Sequence, residues 1–119
     1  MAKFVNDLVM NAALDAAHGT SLIVCAGQPA DRAGALAAAL ATVAITGVDY
    51  TRANGDTSGR KDTIAQQVDI AIASSGIADH VAIIDGTNLL VVTTVASQAL
   101  TSGGTVTVNA FDHEILDAA

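Results

Sequence analysis

Turn-forming clusters punctuate this chain, leaving runs of only 8 to 14 residues between them from residue 60 onward, and that punctuation limits the fold more than any other feature. They are Gly27-Gln28-Pro29-Ala30-Asp31, Asn54-Gly55-Asp56-Thr57-Ser58-Gly59, Ser74-Ser75-Gly76, Asp85-Gly86-Thr87-Asn88 and Thr101-Ser102-Gly103-Gly104. The runs between them read at period two. Leu22 to Ala26 is a nearly continuous apolar strand. Tyr50 to Ala53 and Lys61 to Gln66 flank the polar tip at 54–59. Val68, Ile70 and Ile72 alternate with Asp69, Ala71 and Ala73, the pattern of a half-buried strand. Val81 to Ile84 is apolar on both faces and predicts a central strand. Leu89 to Val95 and Thr105 to Val108 follow. In a last strand Phe111, His113 and Ile115 share one face, and Asp112, Glu114 and Leu116 the other.

One segment, Phe4 to His18, reads as helix. Phe4, Leu8 and Asn11 form a stripe with Val5, Ala12 and Ala16 beside it, Asp7 and Asp15 face water, and Gly19 serves as a left-handed cap. Ala35 to Ile45 stays ambiguous: its alanines favour helix, whereas Thr42, Val43, Ile45 and Thr46 favour a strand at its end. The expectation is a single domain over 1–119, mainly β: an antiparallel β-sandwich or partly closed barrel of about seven to eight short strands with one N-terminal helix. The βαβ alternation of a parallel nucleotide-binding sheet is missing.

With 51% hydrophobic and 14% charged residues in 119, the chain is a folded domain rather than a disordered one. Aromatics make up only 3%, so a core of Ala, Val, Ile and Leu buries little area per residue, and neighbouring copies are expected to contribute to stability. The net charge is −7, and eleven of the twelve acidic residues are Asp. Such a surface repels phosphate, which argues against direct nucleic-acid binding and against anionic membranes. The longest uncharged apolar run, Ala35 to Ile45, is too short to span a bilayer, and Asp7 and Asp15 interrupt what would be a signal peptide. A soluble protein made in the cytoplasm is expected. The lone cysteine, Cys25, cannot form an intrachain disulfide and reads as a buried, inert thiol.

The sequence assigns no catalytic, cofactor-binding or metal-ligating residue. His18, His80 and His113 lack metal-site spacing. His18 suits the negative end of the first helix dipole. His113, between Asp112 and Glu114, suits a packed or interface position and a modest pH-sensitive contact. Asn54-x-Asp56-x-Ser58-Gly59 echoes the start of a calcium loop, but Ala65 stands where the bidentate Glu belongs. No serine lies in a nucleophile elbow and no glycine run cradles phosphate, so a non-enzymatic protein without a cofactor is expected. Arg60 and Lys61 beside Asp56 and Asp62 suggest a solvated charge cluster or, alternatively, an intersubunit salt bridge. Arg52, Arg60 and Lys61 crowd one hairpin of an otherwise acidic protein and form a candidate docking patch. Phe4, Leu8 and Tyr50 are candidate apolar anchors, with core packing the alternative. Phe111 and His113 are candidate interface residues on a last strand whose edge is open to a partner's sheet.

Three segments carry a resemblance: Asn54-Gly-Asp-Thr-Ser-Gly-Arg-Lys61, Ala78-Asp-His-Val-Ala-Ile-Ile-Asp85, and the stretch from Leu89 through Thr105-Val-Thr-Val-Asn-Ala-Phe-Asp-His-Glu-Ile115. Together they resemble a family of small virion structural proteins of tailed bacteriophages, with its helix, its DGDxSGRK hairpin and its final T-V-x-V-x-A-W-D-x-E-I strand. The likeness covers about Tyr50 to Ile115. Phe111 stands where the family pattern has Trp and His113 where it has an aliphatic residue; the segment Gly34 to Gly47 is short. The resemblance implies a capsid decoration or cement protein on the virion surface. Its partners would be the major capsid protein and copies of itself, as a dimer or trimer. A tail or neck (connector) component, or a carbohydrate- or receptor-binding module on the virion, is the alternative; Phe4, Tyr50 and Phe111 are the only aromatics available for sugar stacking.

Overall fold

The computed structural model describes residues 7–56 and 59–115. Phe4 and Leu116 lie outside them. Within them the protein is mainly β, with nine strands in three antiparallel sheets, arranged like a sandwich. Helix α1 (Asp7–Ala16) leads into β1 (Ser21–Cys25), α2 (Arg32–Ala37), β2 (Ala39–Ala44) and a 3-10 turn at Gly47–Asp49. Then come β3 (Tyr50–Asn54), β4 (Arg60–Ile64), β5 (Gln67–Ala71), β6 (Gly76–Ile84), β7 (Leu89–Leu100), β8 (Thr105–Val108) and β9 (Phe111–Ile115). The sheets have the orders β2-β1-β6-β7, β3-β4-β9 and β5-β8.

β1 and β6, which carry the apolar runs Leu22–Cys25 and Val81–Ile84, are the inner pair of the four-stranded sheet, where both faces need apolar side chains. Leu22 and Val24 of β1 join Val81 and Ile83 of β6 in a cluster with Ile64, Ile70, Val106 and Val108 of the smaller sheets and with Ile72, just after β5. Ile23, Cys25, Ala82 and Ile84 point the other way and are covered by Ala35 of α2. Each such fully buried aliphatic side chain contributes about 1.5–3 kcal/mol. The ambiguous middle segment divides into α2 and β2. The carboxylate of Asp31 caps α2 by accepting the Gly34 N–H at 2.7 Å, a start signal within the predicted break. The β6–β7 connection closes as expected: Asp85 Oδ1 accepts the N–H groups of Thr87 (2.7 Å) and Asn88 (2.6 Å).

Three local expectations are corrected. In α1 the helical period holds but the phase does not: Met10 and Leu14 are the buried pair, while Leu8 is 75% exposed. Asn11 and His18 share the Met10–Leu14 side because they meet polar groups on the sheet below. Gly19 is no left-handed cap. A Cβ there would stand 2.6 Å from the Ile84 carbonyl oxygen and would also collide with the Ile83 side chain, so glycine is required by close approach to β6. In β5 the alternation breaks at Asp69, whose φ of +54° accompanies a register shift between Gln67 and Ile70. Ile70 and Ile72 stay buried, and Val68 turns out to 60% exposure.

Candidate functional site

The ladder of the β3-β4-β9 sheet determines which side chains meet. Tyr50, Ile64 and Phe111 are directly opposite one another, as are Arg52, Asp62 and His113, and Asn54, Arg60 and Ile115. Opposed residues share a face, and Tyr50, Ile64, Phe111, Arg52, Asp62, His113, Asn54 and Arg60 share one face because successive rows are two residues apart. Helix α1 packs over β4 and β9. The alternate rows, Thr51-Thr63-Asp112 and Ala53-Lys61-Glu114, face away.

The central row holds the one fully buried charge described, Asp62, only 1% exposed. Arg52 donates to it twice, Nε to Oδ1 at 2.8 Å and Nη2 to Oδ2 at 3.0 Å. His18, just beyond α1, places Nε2 2.7 Å from Oδ2; a carboxylate only accepts, so the ring carries its proton on Nε2. Arg52 Nη2 reaches on to Asp15 Oδ1 at 2.7 Å, and the His18 ring stacks on Tyr50 with centroids 3.9 Å apart. The Tyr50 hydroxyl accepts the Gly19 N–H at 3.2 Å. Burial alone would raise the Asp62 carboxyl, but the hydrogen bonds from Arg52 and then His18 outweigh it and hold the group below the ordinary carboxylate range. Asp62, followed by Asp15, holds the Arg52 guanidinium above its ordinary value. Burial comes first in raising the Tyr50 phenol.

This geometry corrects the reading of the hairpin cations. Asp62 belongs to a buried network rather than to a solvated cluster, because Arg52 and His18 replace the water it gives up. Arg52 is committed inward. Arg60 donates to Asn11 Oδ1 at 3.1 Å and to Asn54 Oδ1 at 2.8 Å, tying α1 to the hairpin. Lys61, on the outer face, donates to Asp56 (2.7 Å) and Asp112 (3.0 Å); these two bonds, Asp56 first, hold its ammonium above its ordinary value. Thr63 Oγ1 donates to Asp112 Oδ1 at 2.6 Å, and that bond, then Lys61, pulls the Asp112 carboxyl down. Asp15 and Asp62 therefore pair with Arg52, and Asp56 and Asp112 with Lys61, while Arg60 is held by the amide oxygens of Asn11 and Asn54; the three cations are engaged within the fold.

The other candidate residues divide. Tyr50 and Phe111 are half-buried and pack against the main cluster. Leu8 is on the outside of α1, so the packing alternative fails for it. His113 is half-buried in the row of Arg52 and Asp62. His18 is no dipole complement but a hydrogen-bond partner of Asp62, a role invisible in sequence because 44 residues separate them. His80 Nδ1 lies 2.8 Å from Asp79 Oδ1, which also accepts the Gly27 N–H at 2.7 Å; these bonds, His80 first, lower the Asp79 carboxyl. Cys25 is buried, with its thiol pushed up to about 11, first by burial and then by Asp79.

A cleft of about 390 Å³ opens between Val24, Val81 and Thr93 on the four-stranded sheet and Val106, Val108 and Phe111 on the segment opposite. Its walls are mostly aliphatic, with Gln98 and Asn109 the amide groups on its lining. Among the described residues, no group of three or more His, Cys, Asp or Glu is placed to hold a metal ion, and no helix is long and apolar enough to cross a membrane. No protein-family model matches the chain, and neither the curated proteins nor the solved structures compared with it yield a match.

Proposed function

We propose that this chain is a non-enzymatic structural protein of a tailed-bacteriophage virion, a decoration or cement protein that binds the assembled head. The observation that carries the reading is where the three family-like segments fall. Of Asn54–Lys61, Asn54 ends β3 and Arg60 and Lys61 open β4, tied to α1, Asp56 and Asp112. Ala78–Asp85 supplies most of an inner strand and the start of its turn, and Leu89–Ile115 supplies β7, β8 and β9. The residues that make the resemblance hold the scaffold together, as expected where shape and surface are the product. The acidic surface, net −7, favours a position away from packaged DNA. Many weak contacts from many copies sum to firm attachment without reactive chemistry. The partners in this reading are the major capsid protein and copies of the chain.

The test is the copy number relative to the major capsid protein in purified particles, together with binding of the purified chain to expanded capsids. High copy and binding to capsids but not to free major capsid protein are expected. A few copies per particle would overturn the head-wide reading in favour of a neck or tail ring.

A further inference from the structure

The four-stranded sheet treats its two edges differently. The β2 edge is engaged at Leu40 and Ala41 by the chain itself: Ile72 bridges Ala41, and the Ala73 N–H donates to the Leu40 carbonyl at 2.8 Å. β7 is bonded to β6 along its inner side, and among the described residues no strand pairs with its outer side. An open edge presents a row of N–H and C=O groups whose complement is another strand. Other strands at sheet edges carry features that discourage pairing. β9 bears Asp112, His113 and Glu114, β3 bears Arg52, β5 is bulged at Asp69, and β8 is only four residues long. β7 runs twelve residues without a charge or a proline. Register shifts on either side isolate a regular stretch, Val91-Val92-Thr93-Thr94, all β-branched and suited to extended backbone.

We propose that the outer edge of β7 over Val91–Thr94 is a self-association surface. A second copy of the chain adds its own β7 there, antiparallel, about a two-fold axis normal to the sheet, and two four-stranded sheets become one of eight. The occupant follows from charge and closure. Two chains of net charge −7 repel wherever their carboxylates face each other, and β7 is an edge on which none does. The two-fold uses the β7 edge of both copies, and the far edge, β2, is engaged by the chain itself at Leu40 and Ala41, so an isologous pair ends the sheet instead of extending it into a fibre. This names a surface for the self-association in the proposed function but rests on the edge alone. A monomeric chain would leave the particle-binding reading standing, and absence from particles would leave the dimer standing.

Sedimentation velocity on the purified full chain tests it, with amide exchange resolved by residue at low and high concentration. A reversible dimer is expected, with the outward amides of Val91–Thr94 slowing as it forms. Thr94→Lys, at an exposed side chain, should weaken the dimer about tenfold or more by placing a charged side chain on the pairing edge, opposite Val91 of the second copy, with the circular dichroism of the monomer unchanged. A chain that stays monomeric at every concentration overturns the proposal. So does an oligomer that Thr94→Lys leaves intact while exchange at Val91–Thr94 does not respond to concentration. Should Thr94→Lys fail to fold, the exchange of the unsubstituted chain decides.

Discussion

Asp62 on β4 faces Arg52 directly across the β3–β4 ladder, and the two are joined by paired hydrogen bonds of 2.8 and 3.0 Å with the carboxylate out of water. A charge so placed is held by its partners alone, which makes the pair the joint between helix and sheet.

Asp62→Ala should lower stability by about 3 kcal/mol, because Arg52 and His18 lose their acceptor at a buried position. Asp15→Ala removes an exposed carboxylate from the same Arg52 and should cost less than about 1 kcal/mol. Urea denaturation of both variants checks the ordering. Equal losses would show that the buried carboxylate is no more important than the exposed one.

The carboxyls of Asp62, Asp79, Asp85 and Asp112 are all held below their ordinary value, 3.8. The folded state therefore binds fewer protons than the unfolded chain in acid. Their contribution is fully present above the ordinary carboxylate range and is lost as pH falls through the lowered folded values. The melting temperature should hold down to about pH 5 and then drop. The drop should be shallower in Asp62→Asn, whose residue 62 no longer titrates; an unchanged slope would remove Asp62 from the account.

Leu14→Ala should destabilise by about 2–4 kcal/mol by opening a cavity under α1, whereas Val9→Ala, at a 61% exposed side chain, should stay within about 0.5 kcal/mol. Thermal melts of the two variants test the observed phase of the helix. The reverse order would mean that the helix docks on its other face.

Gly19→Ala drives a methyl group into Ile83 and the Ile84 carbonyl and should cost about 2–3 kcal/mol. Gly86→Ala, with open space around the added carbon, should change stability by no more than about 1 kcal/mol. Denaturant midpoints distinguish close approach from turn conformation as the reason for glycine.

Cys25 should resist thiol reagents in the folded state at pH 8 and react fully in denaturant, since burial keeps it a thiol up to about 11. Its raised value means that the folded chain keeps a proton that the unfolded chain gives up above the ordinary value of 9.0, so stability falls as pH rises from there through about 11. Ellman titration against denaturant concentration follows the protection directly.

The strand plan was legible because it rests on short-range physics. Val81–Ile84 announces an inner strand by being apolar on both faces, and Asp85-Gly-Thr-Asn88 announces a hairpin by its local hydrogen bonds. Helix phase was not, because Met10–Leu14 and Phe4–Leu8–Asn11 are equally good stripes and the sheet below chooses between them. Asp31 stands three residues ahead of Gly34, the spacing of a helix cap, but the Gly and Pro beside it read equally well as a simple break.

A mainly β domain with one N-terminal helix follows from residue order alone, because turn chemistry and period-two alternation act between residues close in the chain. It took the assembled fold to bring Arg52 and His18 onto the buried Asp62, to engage each hairpin cation within the protein, and to leave the β7 edge of the large sheet without a strand beside it among the described residues. Those outcomes depend on ladder register and on contacts as far apart as His18 and Asp62, where a charge is stabilised by whatever the fold brings to it rather than by its neighbours in sequence.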